Sequence, residues 1–119
     1  MSQSPEPQTD VNRLVRQEMI LEQLKPIEEI IDAARKEVAQ HRATCVAAEA
    51  KGTVDPQKLR DARAAAEGVD ELLARFESMA GEVSGHSKVG DAAIASMHER
   101  LQTLRTQMAG VVERLDALG

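Results

Sequence analysis

The stretch Ile94–Leu118, IASMHERLQTLRTQMAGVVERLDAL, carries apolar residues three and four places apart in alternation: Ile94, Met97, Leu101, Leu104, Met108, Val111, Leu115 and Leu118. At about 3.6 residues per helical turn, that alternation draws one narrow stripe along a helix, the seam of a coiled coil. The same stripe occurs twice upstream. One copy runs Leu24, Ile27, Ile31, Ala34, Val38, His41, Cys45, Ala48, and the other Leu59, Ala62, Ala66, Val69, Leu73, Phe76, Ala80, Val83. Folded as successive hairpins, the three stripes stay in step. Ile31 meets Phe76 and Met97, Ala34 meets Leu73 and Leu101, and Cys45 meets Ala62 and Val111. The expected fold is therefore all-α, an antiparallel up-down-up three-helix coiled-coil bundle.

Local signals divide the chain. Residues 1–9, with Pro5, Pro7, Ser2 and Ser4, read as a disordered N-terminal tail, and residues 10–119 as a single helical-bundle domain. Helix one is expected over about 10–51, ended by Gly52. Asp55 followed by Pro56 is an N-cap with proline at the first helical position, so helix two spans 55–83. The glycine- and serine-rich run 81–90 forms a loop, and Asp91 caps a third helix over 91–118. The layers are uneven: Ile31, Phe76 and Met97 make a thick one, Cys45, Ala62 and Val111 a thin one. The half containing Leu73 and Phe76 should be the more stable. Gly68 and Gly110 face outward inside helices, where each costs roughly 1 kcal/mol against alanine. Drift on a tolerant surface is the favoured explanation, and close approach of a partner helix the alternative.

The first stripe fails when extended backward. Beyond Ile20 its next positions are Gln17, Arg13 and Asp10, all polar, while Val11, Leu14, Val15 and Leu21 lie on another face. Pro26 stands at the junction, so the first helix is expected to be kinked or broken near it. The apolar face of residues 10–23 then has three fates: it folds across the open end of the bundle, pairs with its copy in a homodimer, or docks on another protein.

Composition narrows the function classes. A formal net charge of -5, with neither Trp nor Tyr, argues against nucleic-acid binding, which needs clustered cations and stacking platforms. No long apolar run predicts a membrane span, the first residues do not resemble a signal peptide, and a single cysteine fits the cytoplasm. His41, Cys45 and Met108 share neighbouring core positions and could in principle offer soft ligands, but a fourth is missing. A neutral histidine beside an apolar cysteine is the preferred reading, with no metal and no cofactor. His86 falls in a loop, and His98 has no activated nucleophile beside it. The acidic groups Glu28, Glu29, Asp32 and Glu67, Asp70, Glu71 read as interhelical ion pairs, with Arg35 and Lys36 near the second group. No catalytic residues emerge, and the chain is not expected to be an enzyme. The expectation is a non-catalytic protein–protein interaction module (an adaptor, a regulator or a client-shielding chaperone) that contacts its partner through Val11, Leu14, Val15 and Leu21. The alternative is a self-assembling structural component of a larger complex or particle.

Overall fold

The computed structural model describes residues 6–85 and 87–119, and the side chains within them apart from those of residues 6–10 and 13. Three helices account for nearly all of this: α1 (Glu6–Lys51), α2 (Pro56–Val83) and α3 (Lys88–Leu118). They form an all-α three-helix bundle drawn out into a rod of 79 × 20 × 16 Å. Among the described residues there is no helix long and apolar enough to cross a membrane.

The turns follow from capping chemistry. Gly52 takes a positive φ of 78°, and its N–H closes on the Ala48 carbonyl at the end of α1. Asp55 caps α2 by accepting a hydrogen bond from the Gln57 N–H, with Pro56 beginning the helix. The cap of α3 is Ser87, whose hydroxyl accepts from the Gly90 N–H at 2.9 Å, so the helix begins ahead of the expected Asp91. Asp91 is engaged elsewhere, accepting from the Gly85 N–H across the preceding turn. Two expectations fall partly or wholly outside the described residues: the tail for its positions 1–5, and His86. Glu6 onward is helical.

Pro26 lies inside α1, which is one uninterrupted helix rather than a pair of segments broken near Lys25. Proline removes the donor for the Glu22 carbonyl, but both residues face solvent, where water replaces the lost bond.

The three seams are unequal. On α3, Ile94, Met97, Leu101, Leu104, Met108, Val111 and Leu115 are all buried. On α1 the fully buried positions recur every heptad at Leu24, Ile31, Val38 and Cys45, while Ile27, Ala34 and His41 between them stay half-buried. On α2 the corresponding split sets Ala62, Val69, Leu73 and Phe76 against half-buried Leu59, Ala66, Ala80 and Val83. Thus α3 packs along both other helices, and α1 touches α2 only sparsely. The cause is side-chain size. The α1–α2 seam is furnished by Ala34, Ala65, Ala66 and Ala80, which bury little apolar surface, whereas each leucine of α3 contributes about 1.5–3 kcal/mol when buried.

Charges repeat this inequality. Arg100 of α3 reaches Asp32 at 3.0 Å and Glu28 at 3.7 Å on α1, and Arg114 holds Glu49. On the other side Arg63 meets Asp116 at 2.6 Å, Arg105 meets Asp70 at 3.0 Å, and His98 meets Glu77 at 2.9 Å. Among the described residues every interhelical ion pair includes α3. The expected approach of Arg35 and Lys36 to Glu67, Asp70 and Glu71 does not occur, because Asp70 turns to α3 and Glu71 pairs with Arg75 on its own helix. Exposed pairs of this kind contribute little to stability, so they mark the register of the helices.

Candidate protein-interaction surface

Among the described side chains of α1, Ile20 is the first that is buried, and it rests where α3 begins. A Cβ placed on Gly90 would come within 2.9 Å of the Ile20 Cγ2. Residues 6–19 form an extension of about 21 Å, at some 1.5 Å per residue. It is an overhang whose tip runs past α2 and α3 while its base still borders them, Arg16 and Met19 lining a cleft with Val83 and Glu18 another with Ala93. As an extension of an existing helix it avoids the cost of nucleation. The segment does not fold back across the bundle end, one of the three fates open to it.

The overhang leaves large apolar side chains in water. Val11 is 57% exposed, Leu14 60%, Val15 49% and Leu21 41%, and Met19, which the sequence did not single out, 59%. At about 100° per residue, Val11, Leu14, Val15 and Leu21 occupy one arc with Glu18 in its middle. The structure separates them, however: Leu21 lines a cleft of about 440 Å³ between α1 and α3, beside Leu24 and Met97. Val11, Leu14 and Val15 stand on the free overhang.

A second line of exposed apolar residues on α1 consists of Val11, Val15, Met19, Pro26, Ile30 and Ala33. It leads from the overhang into an open groove of about 970 Å³ between α1 and α2. Ile30, Ala33 and Ala34 form one wall of this groove, and Ala65, Gly68 and Leu72 the other. The groove is the direct consequence of the weak α1–α2 seam. Gly68, whose outward position had two explanations in the sequence, belongs to its wall, and a Cβ added there would meet nothing within 4 Å. The cluster Ala64, Ala65, Gly68 was the available signal, obscured because a heptad register treats these positions as solvent.

His41 is half-buried with its Nε2 3.8 Å from the Glu37 carboxylate. Cys45 is fully buried, and burial pushes its thiol above the ordinary range, although Arg114 opposes the shift. A thiol held protonated is a poor nucleophile and a poor metal ligand. Among the described residues no three His, Cys, Asp or Glu side chains are grouped as a metal site. His98 binds Glu77 and stacks on Phe76 with ring centroids 6.3 Å apart. The hydrogen bond from Arg114 lowers the Glu49 carboxyl below its usual range, and the same contact raises Arg114.

Comparison with protein-family models, curated proteins and solved structures finds no match for this chain.

Proposed function

We propose that this protein is a non-catalytic, cytoplasmic protein–protein interaction module, an adaptor, regulator or client-shielding chaperone, whose contact element is the overhanging start of α1. The observation that carries this reading is the exposure of Val11, Leu14 and Val15 on the tip of α1 that extends beyond its neighbours. Apolar side chains on a regular helix face are what helix-in-groove recognition requires, with anchors one turn apart and polar residues such as Asn12 and Glu18 around them. A catalytic reading has no comparable support: Cys45 is closed off, and His41 and His98 each lie beside a carboxylate. A self-assembling structural component is the second reading, favoured by the apolar groove lying on the same line of α1 as the overhang.

The test separates use in binding from use in folding. A chain starting at Met19, which keeps the buried Ile20, and the full chain with Val11→Glu and Leu14→Glu, should keep their helical signal and melt within a few degrees of the parent. A photo-crosslinking side chain at position 14 should give a discrete covalent adduct in cells, and one at exposed Gln102 should not. Collapse of helicity in the substituted chain would make the segment part of the core and end the proposal.

A further inference from the structure

We infer that the α1–α2 groove is the seat for the overhang of a second copy of this chain. In the pair, two molecules lie antiparallel with their α1–α2 faces together, each overhang in the other's groove. This rests on the interaction reading above and names its partner.

The first argument is architectural. A bundle in which α3 joins α1 and α2, while α1 and α2 barely meet, is a four-helix bundle with one position empty. Filling it takes an apolar helix. The chain has one to spare, and its length fits: the overhang runs about 21 Å, and the groove from Ile30 to His41 about 17 Å, at roughly 1.5 Å per residue.

The second is complementarity of size. Between Ile30 and Leu72 the groove walls carry a run of small residues, Ala33, Ala34, Ala65 and Gly68, which let a helix backbone come close. The overhang brings the large residues Val15 and Met19, which lie on the same line of α1 as Ile30 and Ala33. Large residues of each copy therefore meet small residues of the other, as an isologous contact demands. The groove rim carries Lys36 with Glu37 and Asp61, and the overhang Arg16 with Glu18, so both surfaces are mixed in sign.

The third is area. Two overhangs pairing only with each other would share a strip about 21 Å long, on the order of 300 Å² per copy. A stable interface takes about 800 Å² per partner. A strip from Val11 to His41 is about 45 Å long and one helix wide, and α2 doubles that width only over the roughly 17 Å of the groove, so it covers on the order of 600 Å² per copy. Exchange of the overhangs into the grooves reaches the lower end of specific interfaces, about 600 Å² per partner, and tip-to-tip pairing does not.

Light-scattering mass across a dilution series of the full chain tests this, together with two variants at exposed positions. The overhang variant is Val15→Lys with Met19→Lys, and the groove variant is Ala33→Glu with Gly68→Glu. The parent should show twice the mass of one chain, falling toward a single chain on dilution. Each variant alone should be monomeric, with helicity and melting temperature near those of the parent. An equimolar mixture of the two should recover a doubled mass, because lysines on one chain then enter the glutamate-lined groove of the other. A parent that stays monomeric at every concentration, or a groove variant that keeps the doubled mass, overturns the inference. The interaction reading survives either result as long as the chain starting at Met19 melts like the parent, and it falls with the inference if that shorter chain melts far lower.

Discussion

Helices α1 and α3 carry the same heptad stripe in the same phase, yet the fold uses them differently. All but the last position of the α3 stripe are buried, since α3 has a neighbour on each side. In α1 only the positions facing α3 are closed, and Ile30 remains 50% exposed above a half-furnished seam. A heptad stripe therefore states that a helix has a partner without stating how many. That number is set by the side chains on the facing helices, and alanines at the α1–α2 seam supply too little buried area to close it.

Truncation gives the sharpest contrast between the two helices. Leu101→Ala, at a side chain with no exposed surface, should cost about 2–5 kcal/mol through lost transfer energy and the cavity left behind. Ile30→Ala on α1 should stay within about 0.5 kcal/mol. Chemical denaturation of both variants, at a dilution where the chain is a single copy, measures the difference, and equal losses would mean that the groove is closed within one chain.

Two glycines offer the next test, with opposite signs. Gly90→Ala drives a methyl against the Ile20 Cγ2 and the Ser87 hydroxyl, and the branched, buried Ile20 has little freedom to move. A loss of about 1–3 kcal/mol is expected. Gly68→Ala should stabilise the chain by about 1 kcal/mol, because it sits in mid-helix facing open space. Thermal melts of the two variants should move in opposite directions. If alanine at 68 lowers stability, the groove wall is already in contact with something.

The smallest effect concerns the ion pairs that tie α1 to α3. The folded-state pKa of Glu49 is lowered by Arg114, so its contribution is complete above the ordinary carboxylate range, near pH 4.3. It is lost as pH falls through the lower folded value. Glu49→Gln should therefore flatten the acid side of the stability profile slightly and leave stability near pH 7 little changed, since the pair lies at the surface. An unchanged acid limb would show that the pair does not persist in solution.

Much of the architecture is legible in one pass along the chain. The stripe from Ile94 to Leu118, the Gly52 stop, the Asp55–Pro56 start and the failure of the first stripe beyond Ile20 all depend on local chemistry or on periodicity. The overhang is legible for the same reason, because Val11, Leu14 and Val15 lie off the core line wherever helices two and three end. Three features were not legible. Continuity through Pro26 turned on the proline facing water, which is decided by how α1 sits against α3. The start of α3 at Ser87 turned on competition between two capping side chains, settled when Asp91 bound the Gly85 N–H. The groove turned on three-body geometry.

By itself, then, the order of residues determined the helices, their antiparallel sequence and the apolar faces they present, because each arises from spacing along one chain. The tertiary structure alone decided that α3 is shared, that α1 and α2 stand apart, and that Gly68 lines a cleft instead of a featureless surface. Those outcomes depend on which of two competing seams buries more area, and the leucines of α3 settle that competition from both sides at once.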